Sequence, residues 1–262
     1  MMTWLAEVYR RSPVLAFTGW AHLALAAALA MAYPFDARTI LGISPWIKPM
    51  KFSVSIAIFV WTLAWFLKYI AERRRAVTVI AWGVAICMFG EIALITMQSA
   101  RGTASHFNNA TPFDAIVFGV MGGTIGANTI LIVATLVLFF KVPVRIPRAY
   151  LWGIRLGLIV FLLSSAEGVF MVIHGAHTVG AADGGPGLPF VNWSSKYGDL
   201  RVAHFAGMHA LQILPLVGYW RSRSRAPESA QVSTTVGFSF VYLGIVAALF
   251  VVAMLAKPLV AL

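Results

Sequence analysis

Two glutamates lie inside long apolar runs, and each is followed by a polar residue at the same spacing. Glu91 stands seven residues before Gln98, and Glu167 stands seven residues before His174. Residues seven apart differ by only about 20° around an α-helix, so each pair shares one helix face. A carboxylate within a membrane segment is costly and by default functional. We therefore expect Glu91 and Glu167 to handle protons or to orient a ligand.

Histidines supply the groups that bind transition metals. His174 and His177 have a spacing that allows two ligands near one helix end, and a neighbouring segment would provide a third. Imidazole together with carboxylate suits zinc, iron or copper. Glu167 would then be a ligand, a partner of a ligand or a general base. The sequence predicts a metal site whose ligands come from His106, His174, His177 and His204.

Haem is an alternative cofactor. Ligation of haem iron by two histidines needs both on facing helices at a matching depth. His22 and His209 lie near the middle of their apolar runs, whereas His174 and His204 lie near the ends of theirs. Either pair could bind haem, although the regular histidine pairs of b-type cytochromes are absent. The cofactor stays open between a transition metal and haem.

Charged residues accompany these groups. Arg101 follows Gln98 by three residues, and Arg201 lies between Asp199 and His204. We expect the two arginines to hold an anionic group or to pair with Asp199. The predicted catalytic residues are Glu91, Glu167, Arg101, Arg201 and Asp199, and the predicted cofactor-binding histidines are His204, His209 and His22.

The composition shows which elements must position these residues. The chain has 262 residues, of which 60% are hydrophobic and 11% charged, whereas about 25% are charged in an ordinary soluble domain. Because Cys87 is the only cysteine, no disulfide can form within the chain. These figures exclude a soluble enzyme, a disordered protein and a disulfide scaffold. They predict an all-α, polytopic membrane bundle that forms one integral membrane domain over residues 1–262.

Seven apolar runs are long enough to cross a bilayer, which takes about 20 residues per helix. They cover approximately 13–33, 52–70, 76–98, 113–140, 149–174, 199–220 and 234–256. The first run also resembles a signal peptide, since Arg10 and Arg11 precede it and small residues lie near its end. Its length of about twenty residues exceeds a usual signal core, so we expect it to be retained as the first helix.

The basic residues predict the orientation. With the N-terminus inside, thirteen of the 20 lysines and arginines fall on inner segments and seven on outer ones. Because inner loops are enriched in Lys and Arg, the N-terminus is predicted to be cytoplasmic and the C-terminus outside, in a bacterial-type inner membrane. The net charge of +11 is thus mainly a topology signal. It is spread over four short segments and does not predict nucleic-acid binding.

In this orientation the scarce polar residues gather in the outer half of the bundle. Five of the six histidines belong to that half, and His22 is the exception. Both glutamates belong to it as well. The sequence therefore predicts a site that opens outward, toward the periplasm or exterior.

A weak internal repeat accompanies this arrangement. Residues 91–101 align with residues 167–177 without a gap, and the helices that follow open with Asp114 and Asp199. Hairpins 3–4 and 5–6 would then be parallel repeats on either side of a cavity.

Three functions fit these residues. The leading hypothesis is a metal- or haem-dependent redox protein or membrane enzyme, an oxidoreductase or hydrolase. Its substrate would be a small molecule, a quinone or a lipid-like compound from the outer side. The alternative is a proton-coupled transporter that uses Glu91 and Glu167, with Arg101 and Arg201 recognising an anion. The third is an accessory or assembly subunit that binds a membrane-protein partner. The loop 175–198 would be a lid or a docking segment.

Overall fold

A computed structural model describes residues 4–261 of the chain. In this range it contains nine α-helices and one two-stranded antiparallel sheet. The helices are α1 (Trp4–Arg11), α2 (Pro13–Ala32), α3 (Ile47–Leu67), α4 (Arg74–Ala100), α5 (Pro112–Lys141), α6 (Arg148–His174), α7 (Leu200–Met208), α8 (Ala210–Arg221) and α9 (Glu228–Met254). The strands are β1 (Thr178–Val179) and β2 (Gly198–Asp199).

Seven helical segments are long and apolar enough to cross a membrane, which confirms the predicted number. Four of them are the single helices α4, α5, α6 and α9; α2 and α3, each with the short turn after it, form two more, and α7 with α8 forms the last, Leu200–Arg221. The chain is therefore a multi-pass membrane protein in a lipid bilayer. The cytoplasmic N-terminus and the bacterial inner membrane stay predictions.

Two helices begin earlier than the apolar runs do. The structure starts α3 at Ile47 and α9 at Glu228, whereas the runs begin near 52 and 234. Pro49 lies in the first turn of α3. Backbone N–H groups in a first turn have no acceptor within the helix, so the N–H that proline lacks costs no helical hydrogen bond. Hydropathy detects only the apolar part of a helix, which contacts lipid. The polar first turns of α3 and α9 were therefore not included in the predicted runs.

The short helix α1 was not predicted, because eight residues give little periodic signal. Glu7 pairs with Arg10 at 2.8 Å and with Arg11 at 2.7 Å on its surface. Arg11 also donates from Nη1 to the Trp65 carbonyl at 3.0 Å, near the end of α3. Its guanidinium lies 3.7 Å from the centroid of the Trp65 ring. Arg11 therefore connects α1 to the last turn of α3.

The predicted sixth span, 199–220, is not one continuous helix. It breaks at His209, where α7 ends and α8 begins. The backbone of His209 has a ψ of −7°, which opens the regular helical turn. Pro215 follows within α8 and has no N–H to offer the carbonyl four residues earlier. The second half of this span is thus held by fewer main-chain hydrogen bonds than a regular helix.

The chain forms two compact units that divide within α5, between Thr135 and Leu136. The first contains α1 to α4 and most of α5. The second contains the end of α5, α6 to α9 and the small sheet. The single domain over residues 1–262 stays a prediction.

Aromatic side chains and small residues pack the first unit. In α2, Gly19 lies against the indole of Trp61 from α3, and Trp61 Nε1 donates to the Ala16 carbonyl at 3.3 Å. Ile95 of α4 packs with Val117 and Met121 of α5 in a buried apolar cluster. The last third of α4 therefore packs against the first third of α5.

Close backbone approach defines the packing of the second unit, where α6 and α8 run antiparallel. A Cβ added to Gly153 would lie 2.5 Å from the Leu214 carbonyl, and one added to Gly157 would lie 2.9 Å from the Ala210 carbonyl. Small residues at a helix crossing permit such contact in membranes. The glycines of α5 behave differently, since no described atom lies within 4 Å of the Cβ position of Gly119, Gly122, Gly123 or Gly126.

Candidate functional site

Glu91 is the most deeply placed acid of the first unit. It lies nine residues before the end of α4, which is about 13.5 Å along the helix. Only 2% of its surface is exposed. The Oε1 atom is 3.9 Å from His106 Nε2, and Oε2 is buried without a hydrogen-bond partner among the described residues. A buried carboxylate in this setting is costly when charged, and His106 is the group nearest to its Oε1 atom that could form an ion pair with it.

His106 reaches Glu91 from the loop between α4 and α5. Its Nδ1 atom is 3.1 Å from Lys48 Nζ and 3.0 Å from Ser105 Oγ. An ammonium group can only donate, so Nδ1 accepts and Nε2 carries the hydrogen that faces Glu91. The imidazole is packed among the rings of Phe52, Phe107 and Phe118. Their centroids lie 5.9 to 6.2 Å from the centroid of the His106 ring. The sequence placed His106 in the polar half but did not identify Lys48 as its partner.

Arg101 belongs to a second polar group of the same unit. Asp114, at the start of α5, accepts a hydrogen bond from Gln98 Nε2 at 2.9 Å and one from Thr111 at 2.7 Å. Arg101 Nη1 donates to the same Asp114 oxygen as Gln98 does, and also contacts the Gln98 side-chain oxygen. Arg101 is therefore paired within the chain, and its role toward a substrate anion stays a prediction. Sequence reasoning noted Asp114 only as a repeat marker.

Asp199 and Arg201 form a two-pronged ion pair in the second unit. Arg201 Nε donates to Oδ1 of Asp199 at 2.9 Å, and Nη2 donates to Oδ2 at 2.6 Å. Asp199 also accepts the backbone N–H of Arg201 and of Ser194, which caps the start of α7. This is the pairing that the sequence gave as one of two roles for Arg201. A catalytic role for either residue stays a prediction.

His177 lies in the loop after α6 and pairs with Asp183. Its Nδ1 atom is 2.8 Å from Asp183 Oδ2, and the backbone N–H groups of His177 and Thr178 also donate to this carboxylate. Burial acts to raise the pKa of Asp183, but the hydrogen bonds and charge of His177 outweigh it and hold that pKa well below its usual range. Asp183 was not among the predicted site residues, because it stands beside glycines and belongs to no recognisable motif.

The other predicted histidines bind main-chain carbonyls. In each of them one ring nitrogen lies 2.7 to 3.2 Å from a backbone oxygen. The pairs are His22 with Thr18, His174 with Thr178, His204 with Ser164 and His209 with Phe205. A nitrogen that donates to a carbonyl is not available to a metal, so these rings have at most one ligating nitrogen left.

No three His, Cys, Asp or Glu side chains within residues 4–261 are grouped so that they could hold a metal ion. The predicted ligand His106 belongs to the first unit, and His174, His177 and His204 belong to the second. The haem pair His22 and His209 is divided in the same way. The metal and haem sites therefore stay predictions of the sequence.

Glu167 is the second membrane carboxylate. Its Oε2 atom is buried and has no hydrogen-bond partner among the described residues. The residue after it, Gly168, lies against His204, whose Cε1 is 3.4 Å from the position a Cβ would take. Like Glu91, Glu167 therefore has one buried carboxylate oxygen without a hydrogen-bond partner among the described residues. The two differ in that only Glu91 forms an ion pair with a histidine among those residues.

The two aligned segments have different partners. Gln98 and Arg101 contact Asp114 across the α4–α5 turn. At the matching positions, His174 contacts Thr178 and His177 contacts Asp183. The parallel repeat is not visible in these contacts and stays a prediction.

Comparison of the chain with protein-family models, curated proteins and solved structures gives no significant match. The class of the protein, a seven-span integral membrane protein, therefore rests on its own helices and polar groups.

Proposed function

We propose that this protein is a proton-coupled transporter in which Glu91 carries the proton. The observation that supports the proposal is the buried Glu91 carboxylate, which has one oxygen without a hydrogen-bond partner in the described part of the chain and the other 3.9 Å from His106 Nε2. Acidic residues and histidines inside membrane segments are typical of proton relays. The metal- or haem-dependent enzyme lacks a comparable grouping of donors in the described residues.

The contacts around His106 support a route for the proton in this proposal. Lys48 donates to His106 Nδ1, and the hydrogen on Nε2 points toward Glu91. Transfer from Lys48 to Nδ1, with release from Nε2 to Glu91, leaves a neutral amine, a neutral imidazole and a neutral carboxylic acid. Water at the loop then reprotonates the amine. Neutral Glu91 suits its apolar surroundings, and ionised Glu91 is offset by the positive charge of Lys48, which contacts His106.

A small anion is the substrate class that this charge pattern favours. Arg101 and Arg201 remain partly exposed although each is paired with an aspartate. A guanidinium presents five donors, so one carboxylate does not use all of them. Protonation of Glu91 would accompany entry of the anion, which keeps the net charge moved across the membrane small. Glu167 is the candidate for a second proton site.

The test uses purified protein in vesicles that contain a pH-sensitive dye. Lactate, succinate, phosphate and sulfate are added outside one at a time, and the internal pH is recorded. We compare the wild type with Glu91→Gln, which keeps the shape of the side chain but cannot ionise. Glu228→Gln is the matched control, because Glu228 is an exposed acid at a helix start that pairs with Arg148 at 3.6 Å.

At least one anion is expected to acidify the vesicle interior in the wild type and in Glu228→Gln, but not in Glu91→Gln. Equal acidification in Glu91→Gln would remove Glu91 from the proton path. If none of the four anions moved protons, the transport proposal would be overturned.

A further inference from the structure

The loop between α6 and α7 carries exposed aromatic side chains beside a membrane span. We propose that the tip of this loop, residues 186–197, is an anchor that lies in the lipid headgroup region next to α7. Its partner is the bilayer surface itself. This inference is independent of any transport activity.

Hydrogen bonds make the loop tip a fixed structure. Leu188 N donates to the Trp193 carbonyl at 2.8 Å, and Asn192 N donates back to the Leu188 carbonyl at 2.8 Å. Ser195 N donates to the Pro186 carbonyl at 3.1 Å and closes the base of the tip. A tip held in this way presents its side chains in one orientation and loses little conformational entropy when it binds.

The tip folds back along α7 toward the membrane. The Trp193 ring meets the Phe205 ring edge-on, with 5.5 Å between centroids, and Arg201 Nη2 donates to the Asn192 carbonyl. Phe205 is the sixth residue of the span Leu200–Arg221, about 7.5 Å along the helix from its start. A ring that contacts Phe205 therefore lies at the level of the bilayer boundary.

Phe190 is the most exposed aromatic residue of the tip. Its surface is 61% exposed, and that of Phe205 is 48% exposed. The backbone of Phe190 has a φ of +64°, a left-handed conformation that is unfavourable for a bulky residue. The tip thus maintains a strained turn that directs an apolar ring outward. Aromatic rings are enriched at the level of lipid headgroups, and the exposed cation Lys196 beside them suits lipid phosphate.

The experiment places a fluorescent label at the tip and measures its contact with lipid. Phe190→Cys is made in a Cys87→Ala background, labelled with an environment-sensitive maleimide, and reconstituted in phosphatidylcholine vesicles. Quenching by a lipid with a nitroxide on its headgroup is compared with quenching by aqueous iodide. Ala182→Cys, an exposed position of the same loop outside the tip, is the matched control.

We expect the nitroxide lipid to quench the label at position 190 several-fold more strongly than the label at 182, and iodide to show the opposite order. Equal quenching at both positions would overturn the anchor. A second measurement needs no substitution: wild-type protein is crosslinked in vesicles that contain a photoactivatable phosphatidylcholine headgroup. Crosslinks are expected within 186–197, and their absence from this segment would also overturn the proposal.

Discussion

At the scale of single residues, the chemistry of this protein depends on the neighbours of a few scarce polar groups. The sequence predicted Glu91 as functional because a buried carboxylate is costly. It could not predict Lys48 as the partner of His106, because that contact depends on how the α4–α5 loop folds against the start of α3. Asp183 was also missed, since only the folded loop brings its oxygens to the N–H groups of His177 and Thr178.

Replacing His106 tests the proton route at one atom. His106→Phe keeps an aromatic ring among Phe52, Phe107 and Phe118 but removes both nitrogens. Since positioned acid–base groups accelerate proton transfer by roughly 100-fold or more, we expect the anion-driven acidification rate to fall by about 100-fold. Thermal unfolding in detergent should stay close to that of the wild type. An unchanged rate would contradict the route through His106.

Removing the Asp183 carboxylate should loosen the loop after α6. Asp183→Ala leaves two backbone N–H groups and the His177 ring without their acceptor. Losing hydrogen bonds to a charged, half-buried group costs about 2 kcal/mol, which corresponds to roughly 30-fold faster amide exchange. Hydrogen–deuterium exchange at Thr178 measures this change, with Ala182→Ser as the control. Unchanged exchange would show that other contacts hold the loop.

The same contact predicts acid sensitivity. Because the pKa of Asp183 is lower in the folded protein than in the unfolded chain, its stabilising contribution is complete above the ordinary value near 4. The contribution is lost as the pH falls through the lower, folded value. Protection at Thr178, corrected for intrinsic exchange, should decline below about pH 4 in the wild type and stay constant in Asp183→Ala.

At the scale of the elements, hydropathy predicted the helices well but their interruptions poorly. The span 199–220 has the apolar content of a continuous helix, and it was predicted as one. The break at His209 depends on how the chain adapts to its neighbours. The same limit applies to glycine, because α5 has four glycines at open positions while the close helix contact involves Gly153 and Gly157.

This contrast gives a matched pair of substitutions. Gly153→Ala places a methyl group 2.5 Å from the Leu214 carbonyl, and overpacking of this kind costs about 1–3 kcal/mol. Gly122→Ala meets no described atom within 4 Å, and alanine is favoured over glycine in a helix by about 1 kcal/mol. Unfolding of the purified variants in detergent should show a lower midpoint for the first and an equal or higher midpoint for the second. The reverse order would contradict the close approach of α6 and α8.

At the scale of the whole molecule, the number of spans could be predicted because each needs only length and apolar content. Two features could not be read in this way: the division into two compact units within α5, and the partners of the predicted site residues. Both depend on contacts between segments far apart in sequence.

The predicted orientation can be tested with introduced cysteines. Gly185→Cys lies in the loop after α6, and Ser229→Cys lies at the start of α9; both positions are exposed. Cys87 is buried, so it should add little background. With the N-terminus cytoplasmic, an impermeant maleimide should label position 185 in intact cells, and position 229 only after permeabilisation. The opposite pattern would invert the orientation.

The contact of Arg11 with Trp65 has a consequence for how the protein is made. Arg11 is translated long before Trp65, yet its hydrogen bond and ring contact both require that residue. During synthesis α1 therefore lacks this contact until α3 has been inserted into the bilayer. A nascent chain stalled before residue 65 should leave the amino-terminal helix open to proteolysis, and a longer one should protect it. This order makes the Arg11–Trp65 contact a marker for completed insertion of the first two spans.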